Sequence, residues 1–170
     1  MQTTDKNIYL IGFMGAGKST IARALCRMYD LTQLEMDEQI EAEERMKISE
    51  IFEKKGEEYF RKKETELLKR CTNNKRLVVS CGGGAAMRAC NVEEMKKNGK
   101  IIFLSAEPET VYERVKHSHN RPLLEGNMNV AYISELLNVR KGKYEEAADI
   151  IVKTDGRTAE EIAKEIMERF

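Results

Sequence analysis

Residues 7–20 read Asn7-Ile8-Tyr9-Leu10-Ile11-Gly12-Phe13-Met14-Gly15-Ala16-Gly17-Lys18-Ser19-Thr20. The first five form a short apolar run that stops at a glycine, and the pattern predicts a buried strand. From Thr20 to Tyr29 the apolar spacing turns helical. Between strand and helix, Gly12, Gly17, Lys18 and Ser19 match G-x-x-x-x-G-K-[ST] in full, in the structural setting that pattern requires. The residue types have a chemical reason. Glycines let successive backbone N–H groups turn toward phosphate oxygens, and the helix N-terminus adds the positive end of its dipole. Lys18 is placed to reach β- and γ-phosphates, and Ser19 to hold Mg2+. The loop residues Gly12, Met14, Gly15, Ala16, Gly17, Lys18, Ser19 and Thr20 are therefore expected to line a nucleoside triphosphate.

Further along, residues 31–36 form a weaker strand candidate, and Asp37 stands where it can cap a helix over 38–45. Residues 48–69 carry apolar positions at helical spacing, interrupted at Gly56, which predicts two helices. Strand-like runs follow at 76–80, 100–104 and 149–153. Helical stretches at 91–97, after Pro108, and at 130–147 alternate with them. Thr158 and Glu161 have the spacing of a capping box for a last helix. Continuous apolar strands alternating with helices predict an α/β fold whose parallel sheet is buried on both faces. Residues 117–129 lack apolar periodicity and read as a mobile loop.

At 170 residues the chain suits a single domain, and a hydrophobic fraction of 41 % is enough to build a core despite 34 % charged residues. Lys plus Arg total 29 and Asp plus Glu total 29, so no net field favours nucleic acid or an anionic membrane; any anion site is local. Cys26, Cys71, Cys81 and Cys90 form no CxxC pair and read as reduced thiols, and no apolar run reaches the length of a membrane span. The expectation is a monomeric cytoplasmic protein. A guanine-nucleotide switch is disfavoured because Asn74-Lys75-Arg76-Leu77 lacks the aspartate of the N-K-x-D motif.

Several stretches then converge. GFMGAGKST is followed by Asp37 opening a helix, by GEEYFRKKE around Arg61, by SCGGG at 80–84, by RPLL at Arg121 and by LNVRKGKYEEAADIIVKTD around Arg140. In this order and spacing, from about Ile8 to Thr154, the chain resembles the shikimate kinase family. The resemblance implies a small P-loop kinase, a three-layer sandwich with a five-stranded parallel sheet of order 2-3-1-4-5 and helices on both faces. It also implies ATP and Mg2+, shikimate as the hydroxyl acceptor, an acceptor-binding region at about 37–70 and a lid at about 116–129.

Residue by residue, the resemblance assigns Asp37 to hold and activate the attacking hydroxyl, which a carboxylate can do by accepting its hydrogen bond and its proton. Arg61 and Arg140 would grip the acceptor's carboxylate through paired, charge-assisted hydrogen bonds. Read alone, Arg61 is an ordinary i,i+4 partner of Glu57. Gly82, Gly83 and Gly84 would let the backbone approach a polyol closely, at the sheet edge where ligands of open α/β folds bind. Ser80 would help order water around the metal. Arg121 would neutralise charge on the phosphoryl group in flight, beside Lys18. Arg114 and Arg157 would flank the adenine. Glu35 stands where the family often has aspartate, and would reach the metal through water. Two other readings stay open: a kinase of another polyol acid such as gluconate, and a nucleotide-binding switch module without catalysis.

Overall fold

In the computed structural model, residues 4–117, 124, 126 and 128–170 are described. The chain starts with β1 (Asn7–Ile11), passes through the glycine loop into α1 (Lys18–Tyr29), and continues through β2 (Thr32–Glu35) and α2 (Met36–Glu44). Helices α3 (Ile48–Lys55) and α4 (Glu57–Cys71) precede β3 (Leu77–Ser80), a 3-10 turn (Ala85–Met87) and α5 (Ala89–Asn98). Then come β4 (Gly99–Ser105), α6 (Pro108–Val115), α7 (Val130–Ala147), β5 (Ile150–Lys153) and α8 (Ala159–Arg169). The strands pair in the order β2-β3-β1-β4-β5, all parallel, as expected.

Side-chain alternation divides the core between the two faces of the sheet. Ile8 and Leu10 of β1, Val78 of β3 and Ile102 and Leu104 of β4 pack with Ile21 and Leu25 of α1 and Ile162 and Ile166 of α8. Tyr9 and Ile11, Val79, Ile101 and Phe103 face the other way, against Ile40, Ile51, Leu68, Met95, Val111 and Ile133 from helices α2 to α7. Each such buried aliphatic or aromatic side chain contributes about 1.5–3 kcal/mol by leaving water. Where helices cover both faces, the strands need no polar alternation, and this is why β1, β3 and β4 read as unbroken apolar runs.

Three local expectations hold: the break at Gly56 (φ 87°), Pro108 in the first turn of α6, and the reciprocal Thr158–Glu161 capping box on α8. One does not. Asp37 does not cap α2: that helix begins at Met36, Glu35 takes the N-cap position, and Asp37 sits in the first turn. The cause is that β2 runs into α2 with no intervening residue, so the turn from strand to helix is made two residues earlier. Helix α1 likewise begins at Lys18 rather than Thr20, because Gly17, in the left-handed region at φ 94°, ends the loop.

Candidate active site

The ends of β1, β2 and β3 bring the site together. In the sheet register Ser80 stands between Leu10 of β1 and Glu35 of β2, so the glycine loop, Glu35–Asp37 and Gly82–Gly84 leave the same edge side by side. This is the edge at which open parallel sheets bind ligands.

The phosphate loop requires its glycines. Gly12, Gly15 and Gly17 have φ of 148°, 78° and 94°, a region that side chains strain to enter, and a Cβ on Gly12 would also stand 2.7 Å from the Leu104 carbonyl oxygen. Lys18 Nζ folds back over the loop and donates to the carbonyls of Gly12 and Phe13 at 2.7 and 3.0 Å. Ala16 lies under the loop in the core, Met14 packs half-buried against the opposite cluster, and Ser19 and Thr20 are exposed on the first turn of α1. Ser19 Oγ donates to Glu35 Oε2 at 2.9 Å, and Gln33 holds the other oxygen of that carboxylate. One hydroxyl and one carboxylate oxygen side by side are hard donors that suit Mg2+. Among the described residues no three His, Cys, Asp or Glu side chains gather to hold an ion alone. The pair thus fits a cation that keeps most of its shell as water and phosphate.

Asp37 is exposed by area yet ringed by protein atoms, and this crowding pushes its carboxyl above the usual aspartate range; nearby Lys18 and Arg61 pull it back down. Its Oδ1 points at Gly82, where a Cβ would stand 2.9 Å away. A Cβ on Gly83 would lie 3.0 Å from Arg140 Nη1, and one on Gly84 only 2.5 Å from Arg61 Nη1. None of these three glycines has the positive φ that would demand glycine for conformation. They are bare because two carboxylates, of Asp37 and Glu64, and two guanidinium groups occupy the space their side chains would fill. Arg61, on α4, and Arg140, on α7, are thus brought to adjacent residues of one loop.

Arg61 does pair with Glu57, at 3.3 Å, as its helical spacing suggests, but its shorter bond goes elsewhere: Nη1 donates to Glu64 Oε1 at 2.7 Å. Arg140 stacks 5.9 Å above the Phe13 ring, and Tyr144, one turn on, donates its hydroxyl to the Gly83 carbonyl at 2.5 Å. Glu64 and Tyr144 were not among the candidate residues. Their spacing, i+3 from Arg61 and i+4 from Arg140, is the signal that could have found them.

Arg114, exposed at the end of α6, donates Nη1 to the Gly15 carbonyl at 2.9 Å and also reaches Thr154, so it braces the phosphate loop against the β5 end. Arg157 pairs with Glu165 at 2.6 Å and with the Lys153 carbonyl. Arg121 lies outside the described residues.

A phosphate loop at the head of a five-stranded parallel sheet, facing a carboxylate and two convergent arginines, defines a P-loop kinase acting on a small acidic acceptor. The family model described as shikimate kinase matches residues 14–170. A shikimate kinase of Persephonella marina is 43 % identical over 97 % of this chain and 99 % of its own length. The solved structure of shikimate kinase from Acinetobacter baumannii in complex with shikimate superposes with a TM-score of 0.89 at 37 % identity, over 96 % of this chain and 91 % of that one. A gluconokinase from Sinorhizobium meliloti covers 98 % of this chain and 92 % of its own, but at 17 % identity and a TM-score of 0.59 it shares the fold alone. This chain belongs to the shikimate kinase family.

Proposed function

We infer that the chain transfers the γ-phosphoryl group of ATP to a hydroxyl of shikimate, giving shikimate 3-phosphate and ADP on the route to the aromatic amino acids. The observation that carries this reading is the meeting of Arg61 and Arg140 at Gly83–Gly84, beside Asp37 at Gly82. Two guanidinium groups suit one carboxylate, and an adjacent carboxylate suits the hydroxyl on the same ring.

In this mechanism Lys18 exchanges its carbonyl partners for β- and γ-phosphate oxygens, and the bared loop amides bind the same phosphates. Ser19 and Glu35 would hold Mg2+, directly and through water, with Ser80 ordering part of the shell. The ion would neutralise charge on the phosphates. Asp37, kept near Lys18 and Arg61, orients the acceptor hydroxyl and receives its proton as the bond to phosphorus forms. Arg61 and Arg140 fix the acid end so that the hydroxyl lies in line with the phosphoryl group. Arg121 is proposed to offset charge in the transition state, while Arg114 and Arg157 flank the adenine side. The 170 residues act as one kinase domain, with residues 37–70 holding the acceptor; most of the lid expected at 116–129 lies outside the described residues.

The protein is proposed to act in the cytoplasm as a monomer, with no nucleic-acid or membrane partner. Among the described residues no helix is long and apolar enough to cross a membrane. A coupled ADP-release assay with ATP and Mg2+, run with shikimate, with gluconate and with neither, tests the reading. ADP release that depends on shikimate is expected, and equal release with gluconate or without acceptor refutes it.

A further inference from the structure

Glu64 is wholly buried, and its two oxygens differ. Oε1 accepts from Arg61 Nη1, whereas Oε2 is the one fully buried side-chain nitrogen or oxygen among the described residues that has no hydrogen-bond partner. A charged oxygen sealed from water without a donor is unfavourable, so a buried group left in this state calls for a reason. Oε2 faces the same bare spot as Asp37: a Cβ on Gly82 would stand 2.8 Å from Glu64 Oε2 and 2.9 Å from Asp37 Oδ1.

The surrounding charges set the problem. Arg61 is already shared, with Glu64 on Nη1 and Glu57 on Nε and Nη2. Arg88, ahead of α5, adds a weaker positive influence on Glu64, and Asp37 on α2 a negative one. Beyond the glycines stand Arg140 and Tyr144 on α7. The Cys81 thiol next to them stays neutral because burial raises it far above its ordinary range. An acceptor carboxylate arriving between Arg61 and Arg140 therefore competes with Glu64 for one guanidinium and puts a third carboxylate into a cluster that already holds two.

We propose that Glu64 takes up one proton from solvent when the acceptor's carboxylate binds, which frees Arg61 from its internal ion pair to hold the substrate. The proposal rests on the acceptor reading above. The proton goes to the unpartnered Oε2, Arg61 stays charged, and the charge of the cluster is unchanged by binding. Burial, with Asp37 adding to it and Arg61 opposing, already holds the Glu64 carboxyl above the usual glutamate range, so it is prepared to accept the proton. Glu64 is then a positioning residue, acting on the substrate through Arg61.

The sign follows from linkage. If the complex binds more protons than the free protein, acceptor affinity falls as pH rises, by up to about tenfold per unit for one proton. The test is calorimetric titration of shikimate into the full chain between pH 6 and pH 8, in phosphate and in Tris, whose ionisation heats differ. For the wild type, buffer-dependent heats showing uptake of about half a proton or more at some pH in this interval are expected, with Kd weakening across it. Glu64→Gln keeps an acceptor for Arg61 Nη1 but cannot titrate, and should bind with the same heat in both buffers. Shikimate binding to the wild type with buffer-independent heat throughout overturns the proposal by itself, whatever the variant does. So does equal uptake in wild type and Glu64→Gln. Failure of the wild type to bind shikimate overturns the acceptor reading instead.

Discussion

Gly84→Ala separates what the glycine loop does for the fold from what it does for the acceptor. Gly84 has φ −97° and ψ −4°, which alanine adopts without strain. The added methyl would stand 2.5 Å from Arg61 Nη1 and 2.8 Å from Cζ and Nη2, where ordinary contact begins at 3.4 Å. The guanidinium must retreat by about 1 Å, a displacement that at an active site costs up to about 100-fold. Because the colliding atoms are the far end of a flexible side chain, the fold absorbs the shift at little cost. We expect kcat/KM for shikimate to fall by about 10- to 100-fold, or about 1.4–2.7 kcal/mol, with ATP affinity unchanged and Tm within about 4 °C of wild type. Gly99→Ala is the contrast, since there the methyl would meet the Asn7 carbonyl oxygen at 2.5 Å and the Tyr9 ring at 2.6 Å. It should lower Tm without a selective effect on shikimate KM. Coupled ADP release with shikimate varied, beside thermal melts, reads both. If Gly84→Ala keeps wild-type kcat/KM, Arg61 does not hold the acid from its present position, and the reasoning fails.

Lys18→Ala should abolish turnover while Tm holds, because the Gly12 and Phe13 carbonyls that it holds belong to the phosphate loop; near-normal turnover would dismiss the nucleotide site. Asp37→Asn should cut kcat by about 100-fold or more. Since the carboxyl is raised in the folded state, its ionised form lowers stability as pH rises past the usual aspartate range, and the variant should melt no lower than wild type at pH 7. Arg140→Ala should cost about 2–4 kcal/mol in kcat/KM for shikimate, and titration of ATP in the absence of shikimate should show no change. Glu35→Gln should raise the Mg2+ concentration for half-maximal activity with little change in shikimate KM, because Glu35 meets Ser19 and not the acceptor loop.

What could be read from the sequence was what is encoded locally. β1, β3 and β4 are covered on both faces, so their apolar runs are uninterrupted and could be read directly. β2 is an edge strand whose Thr32, Gln33, Leu34 and Glu35 are exposed or half-buried, and with only one apolar residue it left a weak trace. The phosphate loop could be read because every group that makes it is within nine residues of Gly12. The misplaced cap at Asp37 has the opposite origin: a good capping residue loses the position when the preceding strand leaves no room for a turn, and this depends on where β2 pairs with β3.

The acceptor side shows how a sequence can single out a residue for an incomplete reason. A run of three glycines announces that side chains are unwelcome, and the sequence suggested close approach of a polyol to the backbone. The protein's own groups already claim that volume: Glu64 and Asp37 at Gly82, Arg140 at Gly83 and Arg61 at Gly84. The glycines therefore act first by letting four charged side chains from three helices meet at one loop, and only through them on the substrate. No pairwise spacing reveals that meeting, since α2 and α4 pair through Glu43–Arg70 and Glu44–Tyr59 on their own account and α7 arrives only after β3, α5, β4 and α6. Glu64 was visible as the i+3 neighbour of Arg61 and reads there as one more helical ion pair. What distinguishes it is the second oxygen, sealed at Gly82 without a donor, and that is a property of the packed α4 against the end of β3. An ordinary surface pair would be satisfied by water; this one is not, which is why its protonation is tied to the charge of whatever enters beside it.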